Sequence, residues 1–176
     1  MESIQIKTNV IAIVAVTIDG KIARHQGHFT DWTSPEDKTF MRGFLDTCDV
    51  VVVGNNTYKT AEAPLSKRNC IVFTRAIENT ERQRDNLLLC NPGVASVETV
   101  LAPYQKVALL GGAQTYTYFL ERNLIDELYL TIEPIVFGNG VGLFESKHEA
   151  STKFEIVSIR ELNKQGTVLL HYRRPS

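Results

Sequence analysis

Apolar and polar positions fall in blocks along this chain, and each block predicts an element. Asn9 to Ile18 is short, apolar and β-branched, which predicts a buried strand. Asp19-Gly20 ends it as a turn. Lys21 to Thr33 is polar and reads as a loop carrying two histidines. A helix follows. Ser34 suits its N-cap, Pro35 its first position, and Asp37 completes an S-x-x-D capping box. Phe40, Met41, Phe44 and Leu45 form its apolar face. Asp49 to Val53 predicts a second buried strand ended by Gly54, after which Asn55-Asn56-Thr57 can cap a short helix. Asn69 to Phe73, Leu87 to Cys90 and Lys106 to Leu110 predict further strands. Val97 to Ala102 and Ala113 to Arg122 predict helices. Glu127 to Val136 predicts a long strand. Phe154 to Leu162 and Thr167 to Arg173 predict a hairpin around Asn163-Lys164-Gln165-Gly166. Arg75 to Asn86 is polar and charged and reads as a surface loop.

Strands alternating with helices and closed by a hairpin imply an α/β fold, with a mostly parallel sheet covered on both faces. The 176 residues suit a single domain spanning 1–176. With 43% hydrophobic and 22% charged residues the composition is that of a globular protein. A formal net charge of −1 gives no basic excess for nucleic acid or an anionic membrane. No run reaches the ~18 apolar residues of a membrane span. Met1-Glu2-Ser3-Ile4-Gln5 does not read as a signal peptide. Cys48, Cys70 and Cys90 lack CxxC spacing and read as free thiols in a reducing, cytoplasmic compartment.

Ligands of open α/β sheets bind beyond the carboxyl ends of the strands. Three such ends are candidates here: Gly54 to Thr57, Thr74-Arg75, and Gly111-Gly112-Ala113. Each can offer backbone N–H groups, a hydroxyl or a cation to a phosphate, and a helix N-terminus adds positive potential. A Gly-Gly before a helix is also an ordinary tight turn. No G-x-G-x-x-G follows the first strand. Asp37 is the carboxylate of interest, with a helix cap as its alternative role. His25 and His28 lack further ligand-type neighbours and read as a surface pair, so no metal site is expected.

Taken together, these residues resemble the dihydrofolate reductases and the C-terminal reductase domain of the RibD type from riboflavin biosynthesis. Ile11 to Ala23 resembles their first strand and loop. Trp32-x-x-Pro35-x-Asp37 resembles the tryptophan and catalytic carboxylate of dihydrofolate reductase. Val53-Gly54-x-x-Thr57 resembles a cofactor turn, Pro64-Leu65-x-x-Arg68 the loop whose arginine grips the folate tail, and Thr74-Arg75 the pair that recognises a 2′-phosphate. Gly111-Gly112-Ala113-x-x-Tyr116 resembles the second cofactor segment, and Leu128 to Thr131 the strand whose threonine meets the catalytic carboxylate. Asp19 to Ala23, Ser34 to Asp37, Ile125 to Leu128, and Pro134-x-x-x-Gly138-x-Gly140 are closer to the riboflavin branch. That branch has an aspartate where Ala61 stands and a glutamate where Leu110 stands. Asn55-Asn56 replace a basic pair of many dihydrofolate reductases.

The resemblance implies an NADPH-dependent oxidoreductase acting on a small pterin or pyrimidine, and it allows a homodimer. NADPH would lie along Gly54, Thr57, Thr74, Arg75, Gly111, Gly112 and Ala113, with its nicotinamide near Ala15, Ile22 and Tyr116. Asp37 would serve the proton side of hydride transfer, oriented by Thr131 beside Trp32. Lys21, Phe40 and Arg68 would contact substrate. A folate or pterin reductase is the first reading. A 5-amino-6-(5-phosphoribosylamino)uracil reductase is the second, and a degenerate nucleotide-binding protein without turnover the third.

Overall fold

The computed structural model describes residues 7–149 and 151–176. The reading of Met1 to Gln5 lies outside them. Strand β1 (Asn9–Thr17) turns into β2 (Lys21–Ala23). Helix α1 (Pro35–Leu45) and β3 (Val50–Gly54) follow, then the short helices α2 (Asn55–Thr60) and α3 (Glu62–Leu65). Next come β4 (Cys70–Phe73), β5 (Thr80–Arg84), β6 (Leu87–Cys90), α4 (Val97–Leu101), β7 (Lys106–Leu109) and α5 (Ala113–Glu121). The chain continues through β8 (Glu127–Glu133), β9 (Val141–Gly142), β10 (Glu155–Glu161) and β11 (Val168–Arg173).

Nine strands form one sheet in the order β10-β11-β8-β1-β7-β3-β4-β6-β5, and β2 pairs separately with β9. From β8 to β6 every pairing is parallel. The C-terminal hairpin adds β11 and β10 antiparallel beside β8. The parallel strands are apolar on both sides because helices cover both faces. Along β1, Ile11 and Ile13 pack toward Phe40, Phe44 and Leu45 of α1. Val10, Ala12, Val14 and Val16 pack toward Val97 and Leu101 of α4 and Phe119 of α5.

Several predicted elements are corrected. Arg75 to Asn86 is not simply a loop, since Thr80–Arg84 forms β5 against β6. All five of its residues are exposed, so ladder hydrogen bonds hold it and no apolar pattern announces it. Lys21–Ala23, within the predicted loop, is a short strand paired with Val141–Gly142, and its three half-buried residues are too few to show an alternating pattern. The long strand stops at Glu133, directly before Pro134, which has no N–H for a ladder. Gly54, rather than Asn55 to Thr57, occupies the N-cap of α2, and no side chain caps it.

Candidate active site

The first turn of α1 faces the C-terminal end of β8. The two-residue period of a strand turns Tyr129, Thr131 and Glu133 to one side. Tyr129 meets Phe44 and Phe40 at ring separations of 4.9 and 5.6 Å. Further along β8, Glu133 Oε1 accepts the Ser34 N–H at 2.7 Å. Glu133 Oε2 accepts the Thr167 hydroxyl at 2.7 Å. Only half of the expected capping box therefore forms within α1. Ser34 Oγ accepts the Asp37 N–H at 3.2 Å, but the reciprocal carboxylate comes from Glu133.

That substitution frees the Asp37 side chain from capping. Its carboxyl is buried, with the residue 3% exposed, and its Oδ2 has no hydrogen-bond partner among the described residues. Two neighbouring atoms share this condition, the indole N–H of Trp32 and the hydroxyl of Thr33. An unpaired buried polar atom costs about 1–3 kcal/mol, and three of them in one short stretch suit a polar ligand edge or water. Burial pushes the Asp37 pKa above its ordinary value, the nearby Glu133 charge adds to this, and the Thr131 hydroxyl opposes it. Thr131 is 1% exposed and lies opposite Ala15 in the β1–β8 register.

A second group of residues surrounds a cleft of about 310 Å³ on the carboxyl ends of β3, β4 and β7. Gly54, Thr57, Thr74, Arg75, Gly112 and Ala113 all line it. The Gly54 N–H donates to the Gly111 carbonyl at 2.6 Å, which joins two of the three strand ends directly. A Cβ on Gly54 would lie 2.8 Å from Thr115 Oγ1, and one on Gly112 would lie 3.2 Å from Thr57 Oγ1. Gly111 has φ +85 and its would-be Cβ meets the Tyr116 ring, so only glycine fits there. No side chain caps α5. Arg75 is exposed and makes no ion pair among the described residues. It also lines an adjoining basin of about 550 Å³ with Arg122 and Lys147.

The remaining candidates fall in different places. Tyr116 is buried and donates its hydroxyl to the Ile13 carbonyl at 2.7 Å. Its phenol is pushed well above the usual range by burial, then by the Asp37 charge. Ile22 is half-buried against the same core. Lys21 sits on β2, half-buried, its backbone N–H donating to Thr17 Oγ1 at 2.9 Å. Phe40 belongs to the aromatic group of Phe44 and Tyr129. Arg68 pairs with Asp46 at 2.8 Å, at the far end of α1. Asp46 is nine positions beyond Asp37, or roughly 13 Å of helix, so Arg68 is not brought to the carboxyl.

Three contributors escaped sequence reasoning. Glu133 was legible only as an acidic residue two places after Thr131, on the same face. Gln26, from the polar loop, lines the cleft with no sequence signal. Asp19 read as a turn residue and as the start of a segment resembling the riboflavin branch, with no tertiary contact assigned to it. It accepts the Thr17 hydroxyl at 2.6 Å and the N–H groups of Phe137 and Gly138 at 3.1 and 2.9 Å. It thereby ties the β1–β2 turn to the segment whose Phe137 ring meets Trp32 at 5.1 Å.

A family model described as dihydrofolate reductase matches residues 9–165. The uncharacterized protein YwjB of Bacillus subtilis is 28% identical, over 93% of this chain and 97% of its own. The fold is similar to that of RibD from Acinetobacter baumannii, with a TM-score of 0.78 and 15% identity, over 96% of this chain and 58% of that one. It is also similar to dihydrofolate reductase from Enterococcus faecalis complexed with NADP(H) and RAB-propyl. There the TM-score is 0.68 and the identity 23%, over 96% of this chain and 97% of that one. Among the described residues no helix is long and apolar enough to cross a membrane. The match over most of the length, together with the parallel sheet and its C-terminal hairpin, places this chain in the dihydrofolate reductase family.

Proposed function

We propose that the chain is an NADPH-dependent reductase that acts on a pterin or folate-type substrate. One observation carries this reading: Glu133 takes over the cap, and the Asp37 carboxyl is left buried, with its Oδ2 unpartnered and its pKa raised. A helix cap needs none of those properties, whereas a group that holds a proton for a C=N bond accepting hydride needs all three. The unpaired Trp32 and Thr33 atoms suit the polar edge of an aminopyrimidine ring.

The cleft fits a dinucleotide. Gly54 and Gly112 let the strand ends pack closely together, since a Cβ on either would crowd Thr115 or Thr57, and α5 begins uncapped beside Gly112. Bound NADPH would supply the hydride. Gly54, Thr57, Gly111, Gly112 and Ala113 would hold its phosphates, and Thr74 and Arg75 its 2′-phosphate. Ala15, Ile22 and Tyr116 would form the wall beside the nicotinamide.

Arg75 implies a cofactor preference. NADPH should bind more tightly than NADH by ~1.5–3 kcal/mol, the usual worth of charged contacts. Arg75→Ala should remove most of that difference in calorimetric titrations. Equal affinities in the wild-type protein would discard the role given to Arg75.

A second reading, 5-amino-6-(5-phosphoribosylamino)uracil reduction, is favoured by Arg68. Its guanidinium is already engaged by Asp46, so the contact expected for a folate tail is occupied. Lys21 would then contact the substrate. NADPH consumption by the purified protein should be measured with dihydrofolate, dihydrobiopterin and that aminouracil. The first reading requires turnover on a pterin. Turnover on the aminouracil alone transfers the site to the second, and none on any of them overturns both.

A further inference from the structure

The turn of the C-terminal hairpin fixes the direction of a hydrogen-bond chain that ends at the first turn of α1. Asn163 Oδ1 accepts the backbone N–H groups of Gln165 and Thr167 at 3.0 and 3.1 Å. Those two donors leave the Asn163 amide one orientation, because its NH2 group cannot face an N–H. Asn163 Nδ2 therefore donates, at 2.9 Å to Thr167 Oγ1 and at 3.1 Å to Glu36 Oε2. Thr167 carries a single hydroxyl hydrogen, and it goes to Glu133 Oε2 at 2.7 Å. Glu133 Oε1 meets the Ser34 N–H, which can only donate.

Both oxygens of Glu133 are thus acceptors, the pattern of an ionised carboxylate. A proton on Oε2 would strand the Thr167 hydrogen in a site where that residue is 1% exposed. Among the described residues no ion pair neutralises the Glu133 charge. From β1, Thr17 lies opposite Glu133 in the register, but its hydroxyl is given to Asp19. The charge therefore acts on its neighbours, and Asp37 is among them. Ser34, whose N–H Glu133 holds, accepts the Asp37 N–H on its own Oγ. Thr131 and Glu133 stand on one face of β8, two residues apart. Around Asp37, the hydroxyls of Thr131 and Thr33 and the Lys38 charge of α1 favour the ionised form, and the Glu133 charge opposes it more strongly than Lys38 supports it. The Tyr116 phenol of α5 stays neutral beside it.

We infer that Glu133 and Thr167 are positioning residues for the reduction: the hairpin turn holds a fixed negative charge on Glu133, and that charge keeps the proton on Asp37. The inference rests on the role given to Asp37 under the proposed function. It makes the pH range of turnover a property of the C-terminal hairpin as well as of the site that binds substrate.

The test follows the Asp37 carboxyl by ¹³C resonance across pH, beside the pH profile of turnover, in the full chain and three variants. Glu133→Gln keeps an acceptor for the Ser34 N–H and removes the charge. It should lower the Asp37 midpoint by about one pH unit, the usual reach of a nearby like charge. Thr167→Val removes the donor that favours the Glu133 charge and should lower the midpoint in the same direction by less. Thr167→Ser keeps the hydroxyl and should titrate with the wild type. The alkaline fall of turnover should move with the midpoint in each variant. A purely structural role would change stability and leave the midpoint in place. A midpoint that fails to drop in either Glu133→Gln or Thr167→Val, or that drops equally in Thr167→Ser, overturns the inference and leaves the role of Asp37 standing. A wild-type midpoint at or below the ordinary 3.8 overturns that role, and the inference with it.

Discussion

Replacing Asp37 by asparagine should lower turnover by roughly 10²–10⁴, the usual worth of a positioned general acid or base, and should also stabilise the fold at neutral pH. The two effects share one cause. The amide keeps the shape of the carboxyl but cannot hold the proton that the substrate needs. It also removes a charge that the site does not compensate, because Oδ2 has no partner and Glu133 lies nearby. Burial raises the folded-state pKa above the ordinary 3.8. The folded protein therefore holds this proton to higher pH than the unfolded chain does. Wild-type stability falls as pH climbs from the ordinary value through the raised one, and it stays low above that. An amide cannot ionise, so the advantage of Asp37→Asn should be largest at neutral pH and should vanish in acid. A capping carboxylate would behave in the opposite way, with Asp37→Asn losing about 0.5–1 kcal/mol and keeping its turnover. NADPH affinity should barely change. Thr131→Val should lower turnover less, since in the proposed function the hydroxyl would only orient the carboxyl. Urea unfolding across pH and steady-state turnover measure both sides of this expectation.

Glu133→Ala should be among the most destabilising single substitutions in the chain. Both oxygens of Glu133 are used, one by the Ser34 N–H and one by the Thr167 hydroxyl. The residue is 3% exposed, so water does not readily replace it. Truncation leaves a buried donor on Thr167 and a part-buried one on Ser34 without acceptors, at about 1–3 kcal/mol each. It also leaves a cavity where the side chain stood. A loss of roughly 3–5 kcal/mol in chemical denaturation follows from these two terms. The start of α1 should loosen first, which would lower turnover through Asp37 in whatever protein remains folded. Glu133→Gln keeps the volume and one acceptor and should fall between the two. A loss below 1 kcal/mol for Glu133→Ala would show that α1 does not depend on β8 for its cap.

The parts of this fold that bury apolar surface were legible in the chain. Asn9 to Thr17 and Val50 to Val53 announce themselves because both faces of a parallel strand are covered, and nothing polar interrupts them. The start of α1 was legible because Ser34 and Pro35 are local signals. β5 was not legible, since Thr80 to Arg84 is exposed throughout and is held by backbone bonds that any sequence can make. The three strand ends could be named singly, and their convergence on one cleft depends on strand order, which no local pattern encodes. Asp37 shows the limit most clearly. Its spacing from Ser34 fits a cap, and the group that displaces it, Glu133, lies 99 residues from Ser34. Arg68 shows the reverse case, where a motif at the expected spacing is engaged by Asp46, a partner the motif does not include.

Whether Asp37 caps a helix or holds a proton can be read without a substrate. The protein would be labelled with ¹³C at its aspartate carboxyls, the Asp37 resonance assigned by its loss in Asp37→Asn, and its shift followed across pH. A carboxylate serving the N-terminus of a helix titrates at or below the ordinary 3.8, because the helix dipole favours its charged form. The arrangement described above requires a titration clearly above that value, and one moved further in Thr131→Val, which removes the hydroxyl that favours the charged form. A titration at or below 3.8 would contradict the account at its centre.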